Sequence, residues 1–173
     1  MHFDPSIVQT RYSSPLGMMT LAVTHSGLAG VWFDGQRHWP PALAARPSWP
    51  LDTNHPILIK TAQQLSEYFT GQRYVFDVAL DLSGGTAFQQ SVWQALLAIE
   101  PGQTSSYSNV SKTIGNAAAV RAVGAAVGRN PISIIVPCHR VLGSDGSLTG
   151  YAGGLNRKTA LLKLEGALTE NLL

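Results

Sequence analysis

Residues 106–127 read SYSNVSKTIGNAAAVRAVGAAV and decide the fold of the C-terminal half of the chain. Two helical patterns, residues 106–114 and residues 117–127, lie on either side of Gly115-Asn116. Asn116 can cap the second helix, because an asparagine side chain accepts hydrogen bonds from the free amides of a first turn. Two short helices joined by a tight glycine-containing turn are the layout of a helix-turn-helix. The sequence therefore predicts this motif.

The second of these helices has a nearly smooth surface apart from Arg121. Its small residues are Ala117, Ala118, Ala119, Ala122, Gly124, Ala125 and Ala126. A smooth helix can pack tightly on a neighbouring core, which is the ordinary outcome for an alanine-rich helix. It can also lie in the minor groove of DNA with one arginine projecting from it. The pattern alone leaves both interpretations open.

Downstream of the helices, residues 132–136 form a short apolar, β-branched run that predicts a buried strand leading into Pro137-Cys138-His139-Arg140. A thiol is a useful nucleophile only as the thiolate, which needs a nearby base or positive charge. His139 and Arg140 are its sequence neighbours, yet successive side chains of an extended chain point apart. From its local sequence alone, Cys138 could be either an inert buried side chain or a nucleophile.

The composition narrows the class of protein. The chain has 173 residues, 45% of them hydrophobic, which is enough for a real core. Its single cysteine excludes an internal disulfide and a zinc site built from several thiolates, and its five histidines are scattered, so we predict no metal. Because it has neither an apolar run of roughly 18 residues nor a signal-peptide layout, we expect a cytoplasmic protein without membrane contact.

The net charge of +2 is unevenly distributed along the chain. Residues 1–84 hold five Lys or Arg against six Asp or Glu, whereas residues 85–173 hold seven against four. The surplus of positive charge in the C-terminal half is enough for a few contacts with DNA or RNA phosphates. It is too small for tight binding through many phosphates.

Residues 1–84 carry strand and turn signals. Residues 18–25 and 28–33 predict a hairpin closed by Ser26-Gly27, and a further short strand is predicted over residues 74–80. The five prolines of residues 40–56 predict an irregular connection between these elements.

Helical signals follow the proline-rich stretch. Apolar residues spaced along one face predict a helix from Pro56, closed by Gly71. Ser83-Gly84-Gly85-Thr86 is the best candidate for a domain boundary, because small flexible residues separate two patterned regions there. Thr86 can cap a helix that ends near Pro101-Gly102. We therefore expect two domains, residues 1–84 and 85–173.

Residues 130–141, NPISIIVPCHRV, resemble the active-site signature of the O6-alkylguanine-DNA alkyltransferases over its whole length. Over the first 84 residues the resemblance is confined to SPLG at residues 14–17 and the hairpin after it. It covers the C-terminal half densely, through GTAFQ at 85–89, Tyr107, RAVG at 121–124, GYAGG at 150–154 and Glu165-Gly166.

The resemblance implies an α/β fold of two domains. Residues 1–84 would form an α/β domain with ribonuclease-H-like topology, and residues 85–173 a winged-helix-like, mostly helical domain with the helix-turn-helix. It also implies DNA repair by direct damage reversal. Cys138 would take a methyl or larger alkyl group from guanine O6 irreversibly, once per molecule and without a cofactor. The sequence does not rank alkyl groups or decide whether O4-alkylthymine is accepted.

The same resemblance assigns catalytic roles around Cys138. His139 would help to remove the thiol proton through a water, and Glu165 would orient that histidine. Asn130 would stabilise the turn that carries the site. From the residues alone, Glu165 could equally be a surface carboxylate and Asn130 an ordinary helix-end cap. Arg140 is expected to form a structural ion pair or to bond carbonyl groups.

Substrate contacts are also implied by the resemblance. Tyr107 would help to rotate the nucleotide and would hydrogen-bond the purine, and Tyr151 would stack on one side of the base. The Ala152 N–H would lie near the leaving oxygen. The carbonyls of Cys138 and Val141 would accept from the guanine exocyclic amine, which discriminates guanine from adenine.

The expected partner is double-stranded alkylated DNA, bound through its minor groove by a protein that is a monomer in solution. The alkylated base must leave the helix, because a thiol fixed in a protein cannot reach it in the stack. The resemblance implies that Arg121 fills the vacated place, and we expect Ala122, Gly124 and Ala125 of the same helix to lie at the DNA. Ala117 departs from the family, which often has proline there.

Two other functions compete with this interpretation. A thiol hydrolase could use Cys138, His139 and Glu165 for acyl transfer, and catalytic turnover would identify it. A module that only recognises lesions is the second alternative, and the presence of Cys138 argues against it.

Overall fold

The computed structural model describes residues 1–168. Its N-terminal part contains an antiparallel sheet of β1 (Val8–Ser14), β2 (Gly17–Thr24) and β3 (Gly27–Phe33) in that order. The predicted hairpin is confirmed as β2 and β3, which are buried along most of their length. β1 was not predicted, because only Val8 and Tyr12 of its seven residues are apolar.

Two helices accompany this sheet. The predicted helix from Pro56 is confirmed as α2 (Pro56–Phe69), capped by the His55 side chain, which accepts from the Ile57 amide at 3.2 Å. Gly71 follows it with φ of 76°, a left-handed conformation that favours glycine. The proline-rich connection is irregular apart from the single turn α1 (Pro41–Ala44) and an isolated bridge between Leu51 and Gln9. α2 packs on the sheet and closes one side of the main core.

The strand predicted over residues 74–80 is wrong. That segment bends at residues 74 and 75 and pairs with no strand up to an isolated bridge between Leu80 and Leu28. The Gln64 side chain of α2 accepts from the Asp77 amide at 2.9 Å and donates to its carbonyl at 3.5 Å. A helix side chain thus takes the place of a neighbouring strand, while Phe76 packs against the core.

The C-terminal part is mostly helical. Thr86 caps α3 (Ala87–Leu97) in a reciprocal arrangement with Gln89, which confirms the predicted helix start, although the helix ends four residues before Pro101. α4 (Tyr107–Thr113) and α5 (Val120–Gly128) pack on α3, and α6 (Leu155–Leu164) closes this part. β4 (Ser105–Ser106) and β5 (Val141–Leu142) form a two-stranded parallel ladder.

The second helix of the predicted helix-turn-helix begins later than the sequence pattern indicates. α5 starts at Val120 with Ala119 as its N-cap, so Asn116 does not cap it. Instead the Asn116 carbonyl accepts from the Ala119 amide at 3.0 Å and from the Ser111 hydroxyl, and Asn116 is thereby part of the turn. Ala117 and Ala118 belong to this turn as well.

The strand predicted over residues 132–136 is also wrong, although the segment is buried as expected. Ile132 makes a single bridge to Val31 of β3, and the chain then turns through Ile134, whose φ is 72°. A β-branched residue at positive φ is strained, so the surrounding contacts must hold this turn. No helix within residues 1–168 has both the length and the apolar character needed to cross a membrane.

Candidate active site

Cys138 opens a single 3₁₀ turn, Cys138–Arg140, that follows the buried turn. Its amide donates to the Val136 carbonyl at 2.8 Å, and the Arg140 amide donates to the Pro137 carbonyl at 3.0 Å. Only 5% of Cys138 is exposed, and that part lines a cavity of about 230 Å³. Ligands of drug size need roughly 300–1,000 Å³, so this cavity suits one compact flat group.

Asn130 holds the turn that carries Cys138. Its side-chain amide donates to the Val136 carbonyl at 2.8 Å and to the Ile132 carbonyl at 3.4 Å, and its oxygen accepts from the Ile132 amide at 2.9 Å. The side chain is buried and supplies the hydrogen bonds that a neighbouring strand would otherwise make. It is therefore not a simple helix-end cap.

Glu165 lies directly behind the cysteine turn as the C-cap residue of α6. Its Oε1 accepts from His139 Nε2, Arg140 Nη2 and the Tyr68 hydroxyl, each at 2.8 Å, and its Oε2 accepts from Arg140 Nε at 2.8 Å. Arg140 Nη1 donates to the Ile99 carbonyl at 2.5 Å. This carboxylate is thus buried and bonded by four donor atoms. It is not a surface group.

The hydrogen-bond geometry fixes the tautomer of His139. A carboxylate only accepts, so Nε2 carries the proton that it donates to Glu165, and Nδ1 of the neutral ring is an acceptor. Within residues 1–168, Nδ1 is buried and has no protein hydrogen-bond partner. Burial lowers the pKa of His139 despite the opposing effect of Glu165, and this favours the neutral ring.

The pKa values of Cys138 and Glu165 also follow from their surroundings. Burial raises the pKa of the Cys138 thiol, and the bond from Asn130 and the charge of Lys158 oppose that rise only in part. Burial alone would raise the pKa of Glu165, but the bonds from Arg140 and His139 outweigh it and lower that pKa to about 2. The thiol therefore rests protonated beside an ionised carboxylate, and it needs a base in order to react.

Residues 150–154, which we call the pocket loop, contribute Gly150, Tyr151 and Ala152 to the wall of the cavity. Tyr151 and Ala152 line the cavity, and Tyr107 lines it from the start of α4. The Tyr107 hydroxyl donates to the Thr149 carbonyl at 3.1 Å, next to the loop. Burial raises the pKa of Tyr107, so this hydroxyl keeps its proton.

Lys158 of α6 is fully buried and ties the pocket loop to the chain after the cysteine. Its ammonium donates to the carbonyls of Val141 at 2.5 Å, Thr149 at 3.0 Å and Gly150 at 3.1 Å. Burial lowers its pKa to about 8. Val141 lies beside the site with its carbonyl bonded to Lys158, and it is not among the residues that line the cavity.

α5 meets the cavity through its small residues. Gly124 and Ala125 line it together with Val127 and Gly128 of the same helix. Arg121, in the first turn of α5, is exposed and does not line the cavity, and the same holds for Ala122.

Sequence reasoning missed four residues that contribute to this site. Tyr68 follows the apolar spacing of α2 and is indistinguishable from an ordinary core aromatic, and Lys158 stands in a helix whose pattern gives no sign of its burial. Arg37 and His38 line the cavity from the N-terminal half, where the sequence carries no motif. The positive φ of His38, 58°, has no sequence signal either.

Two family models match nearly the whole chain. A model described as 6-O-methylguanine DNA methyltransferase, ribonuclease-like domain, matches residues 7–82. A second, described as 6-O-methylguanine DNA methyltransferase, DNA binding domain, matches residues 87–167. The chain therefore combines an N-terminal ribonuclease-like domain with a C-terminal DNA-binding domain in an α/β fold.

Similar proteins and structures agree with these models. A methylated-DNA–protein-cysteine methyltransferase of Mycobacterium bovis is 49% identical over 152 residues, covering 88% of each chain. One of Methanosarcina acetivorans is 46% identical over 157 residues, covering 90% of this chain and 96% of its own. The crystal structure of Mycobacterium tuberculosis O6-methylguanine methyltransferase has a TM-score of 0.82 and 45% identity, covering 95% and 96% of the two chains. A related Mycobacterium tuberculosis structure in complex with DNA has a TM-score of 0.81 and 46% identity, covering 93% and 92%.

Proposed function

This chain belongs to the 6-O-methylguanine DNA methyltransferases, which repair DNA by moving an alkyl group onto a protein cysteine, and we propose that Cys138 is the acceptor. One observation carries the proposal. The single cysteine borders a small cavity, and directly behind it lies a neutral histidine bonded to a buried carboxylate. The thiolate would form the S–C bond as the bond between carbon and guanine O6 breaks, and the purine would keep that electron pair and take up a proton.

His139 serves in this proposal as the proton acceptor. Its Nδ1 is free to accept the thiol proton, directly or through one water, because Nε2 is committed to Glu165. The positive charge that develops on the ring is stabilised by the Glu165 carboxylate. Asn130 and Arg140 act as positioning residues, the first on the turn and the second on the carboxylate.

The substrate-binding roles rest on the walls of the cavity. Tyr151 would stack on the flipped base, the Ala152 N–H would donate to the leaving oxygen, and Tyr107 would assist nucleotide rotation and bond the purine. The carbonyls of Cys138 and Val141 would accept from the guanine amine. For Val141 this requires the second lone pair of an oxygen that already accepts from Lys158.

DNA binding is assigned to α5 in the minor groove, within a winged-helix-like domain built from α4, α5 and the β4–β5 ladder. Arg121 would replace the extruded base, and Ala122, Gly124 and Ala125 would let the helix approach the duplex closely. We place the domain division near Gly84, in agreement with the separate ranges of the two family models, and expect a monomer. The cytoplasmic location remains a prediction from the sequence.

The acceptor assignment is tested by intact-protein mass spectrometry after mixing with duplex DNA that contains O6-methylguanine. We expect one added methyl group per chain, located on Cys138 by peptide mapping, and none on a Cys138→Ser variant. A chain that hydrolyses thioesters or amides repeatedly without gaining mass would instead be a thiol hydrolase. Binding of the alkylated duplex without mass gain or turnover would identify a recognition module.

The DNA assignment is tested with Arg121→Ala. Because the arginine acts only when a base leaves a duplex, we expect slower alkyl transfer from duplex DNA and an unchanged rate with the free modified base. Lys112→Ala, which removes a cation from α4, is the matched control. Equal losses with the two substrates would contradict a role for Arg121 in base extrusion.

A further inference from the structure

Arg157 of α6 connects the N-terminal half of the chain to the pocket loop. Its Nε donates to the carbonyl of Leu16, in the turn between β1 and β2, at 2.9 Å. Its Nη1 donates to the carbonyl of Gly153, in the pocket loop, at 3.1 Å. One planar guanidinium thus spans two segments that lie 137 residues apart in sequence, which its rigid fork of donors allows.

Phe33, at the end of β3, gives this guanidinium a surface to lie on. The central carbon of the guanidinium is 4.5 Å from the centre of the ring, a distance typical of a cation–π contact. The pocket loop rests on the same ring, because a Cβ placed on Gly153 would lie 3.1 Å from Phe33 Cδ2. Phe33 itself is fully buried, so neither contact can shift without disturbing the core.

The turn that presents the Leu16 carbonyl is itself fixed. The Ser14 hydroxyl donates to the Gly17 carbonyl at 2.7 Å and accepts from the Leu16 amide at 3.1 Å. Gly17 has φ of 120°, and a Cβ there would lie 3.0 Å from Arg157 Nη2. A side chain at position 17 would therefore crowd the guanidinium, and the internal hydrogen bonds of the turn hold the Leu16 carbonyl in place for Arg157.

A second bond holds the loop from the same side. The amide of Arg37, just beyond β3, donates to the Ala152 carbonyl at 2.9 Å. Two consecutive loop carbonyls, those of Ala152 and Gly153, are thus bound by groups that the N-terminal sheet supports. The loop needs such support, because Gly150 and Gly154 have φ of 58° and 92° and give its backbone little stiffness.

From this arrangement we propose that Arg157 is a positioning residue that fixes the pocket loop and thereby sets which alkyl groups are transferred efficiently. The proposal rests on the assignment of the Cys138 cavity as the alkyl-transfer site. Tyr151 and Ala152 form the cavity wall, and both precede the carbonyl that Arg157 binds. A bulky group depends on contact with this wall, whereas a methyl group on the reacting oxygen reaches little beyond the thiol. Loss of Arg157 therefore changes alkyl preference as well as overall rate.

The experiment compares single-turnover transfer from duplexes carrying O6-methylguanine or O6-benzylguanine. For Arg157→Met we expect transfer of benzyl to fall about 100-fold and of methyl about tenfold, since an ångström of misplacement costs rates of this order. Arg157→Lys should recover part of the benzyl rate, because an ammonium can bond one carbonyl over the Phe33 ring. Amide hydrogen exchange in residues 150–154 should accelerate, and exchange in residues 138–142 should not.

Arg73→Met is the matched control, since Arg73 bonds Glu67 and the Val75 carbonyl away from the cavity. Equal losses for methyl and benzyl, or loop exchange that stays unchanged, would overturn the proposal. If the methionine variant does not fold, the lysine variant is judged by the same two criteria. Wild-type protein that transfers no methyl group to Cys138 would instead overturn the acceptor assignment itself.

Discussion

The two sides of Cys138 are held by different kinds of interaction. Behind the thiol, the Glu165 carboxylate is buried and accepts four hydrogen bonds from His139, Arg140 and Tyr68. In front of it, the glycine-rich pocket loop is held mainly through backbone carbonyls, by Lys158, Arg157 and the Arg37 amide. The rear is a buried charged network, and the front is a glycine-rich segment held at its edges.

The difference matches what each side has to do. If His139 is the proton acceptor proposed above, its ring must keep one tautomer and one orientation, which a network of charge-assisted hydrogen bonds provides. The wall in front must admit a base from DNA, so ties at its edges leave its inner surface free for the substrate. Changes behind the thiol should therefore affect stability and proton transfer together, and changes in front should affect mainly the fit of the substrate.

The largest effect on stability is expected from Glu165→Ala. Removing the carboxylate leaves Arg140 buried without its partner, which typically costs about 3–5 kcal/mol. Arg157→Met removes an arginine that is only partly buried and should cost about 1 kcal/mol or less. Urea unfolding at pH 7.5 measures the free energy of unfolding of both variants and of wild type. Equal costs would mean that the two sides are held equally strongly.

Acid should weaken the rear side through the same carboxylate. The pKa of Glu165 is about 2 in the folded protein and 4.5 as the ordinary value, so its stabilisation is complete above pH 4.5 and is lost as pH falls towards 2. The loss over this window is about 3 kcal/mol. The unfolding free energy of wild type should fall more steeply over this range than that of Glu165→Gln. Parallel curves would show that Glu165 does not carry this stabilisation.

His139→Gln separates proton transfer from structure on the rear side. The glutamine amide can still donate to Glu165, but it offers no basic nitrogen to the thiol, so alkyl transfer should slow about 100-fold. Affinity for alkylated duplex, measured by fluorescence anisotropy, should stay at the wild-type value because the cavity wall is intact. An unchanged transfer rate would exclude His139 as the proton acceptor.

The smallest effect on the rear side is expected from Tyr68→Phe, which removes one of the four hydrogen bonds to Glu165. The other three remain, so the cost in unfolding free energy should be about 1 kcal/mol. Alkyl transfer should slow less than in His139→Gln, and methyl and benzyl should be affected alike. A change in the ratio of the two rates would mean that the rear network also shapes the cavity wall.

Local sequence patterns predicted the strands and helices whose structure is determined by their own residues. The β2–β3 hairpin follows from two short strand-forming runs joined by the Ser26-Gly27 turn, and α3 follows from the Thr86 cap. The segment before Cys138 looks like a strand because it is β-branched and buried. It is a turn because the Asn130 side chain makes the hydrogen bonds that a neighbouring strand would otherwise make. The composition of residues 132–136 does not indicate that a side chain, and not a strand, makes these hydrogen bonds.

The contacts around the thiol could be anticipated only in part. The resemblance brought His139, Glu165 and Asn130 together, and the structure places all three around the cysteine turn. Tyr68 lies 97 residues from Glu165, and its helix pattern indicates only a core aromatic. Arg157 looks like a surface arginine next to the pocket loop. Two of its partners, Leu16 and Phe33, come from the first 33 residues, which carry no catalytic motif.

The burial of Cys138 has a consequence for the lifetime of the unreacted protein. Soluble oxidants and electrophiles consume exposed thiolates, whereas this thiol is protonated at rest and only 5% exposed. An acceptor that reacts once is useless after an accidental reaction, so low intrinsic reactivity is an advantage here. Burial and a raised pKa therefore protect the Cys138 thiol from soluble reagents before a substrate enters the cavity.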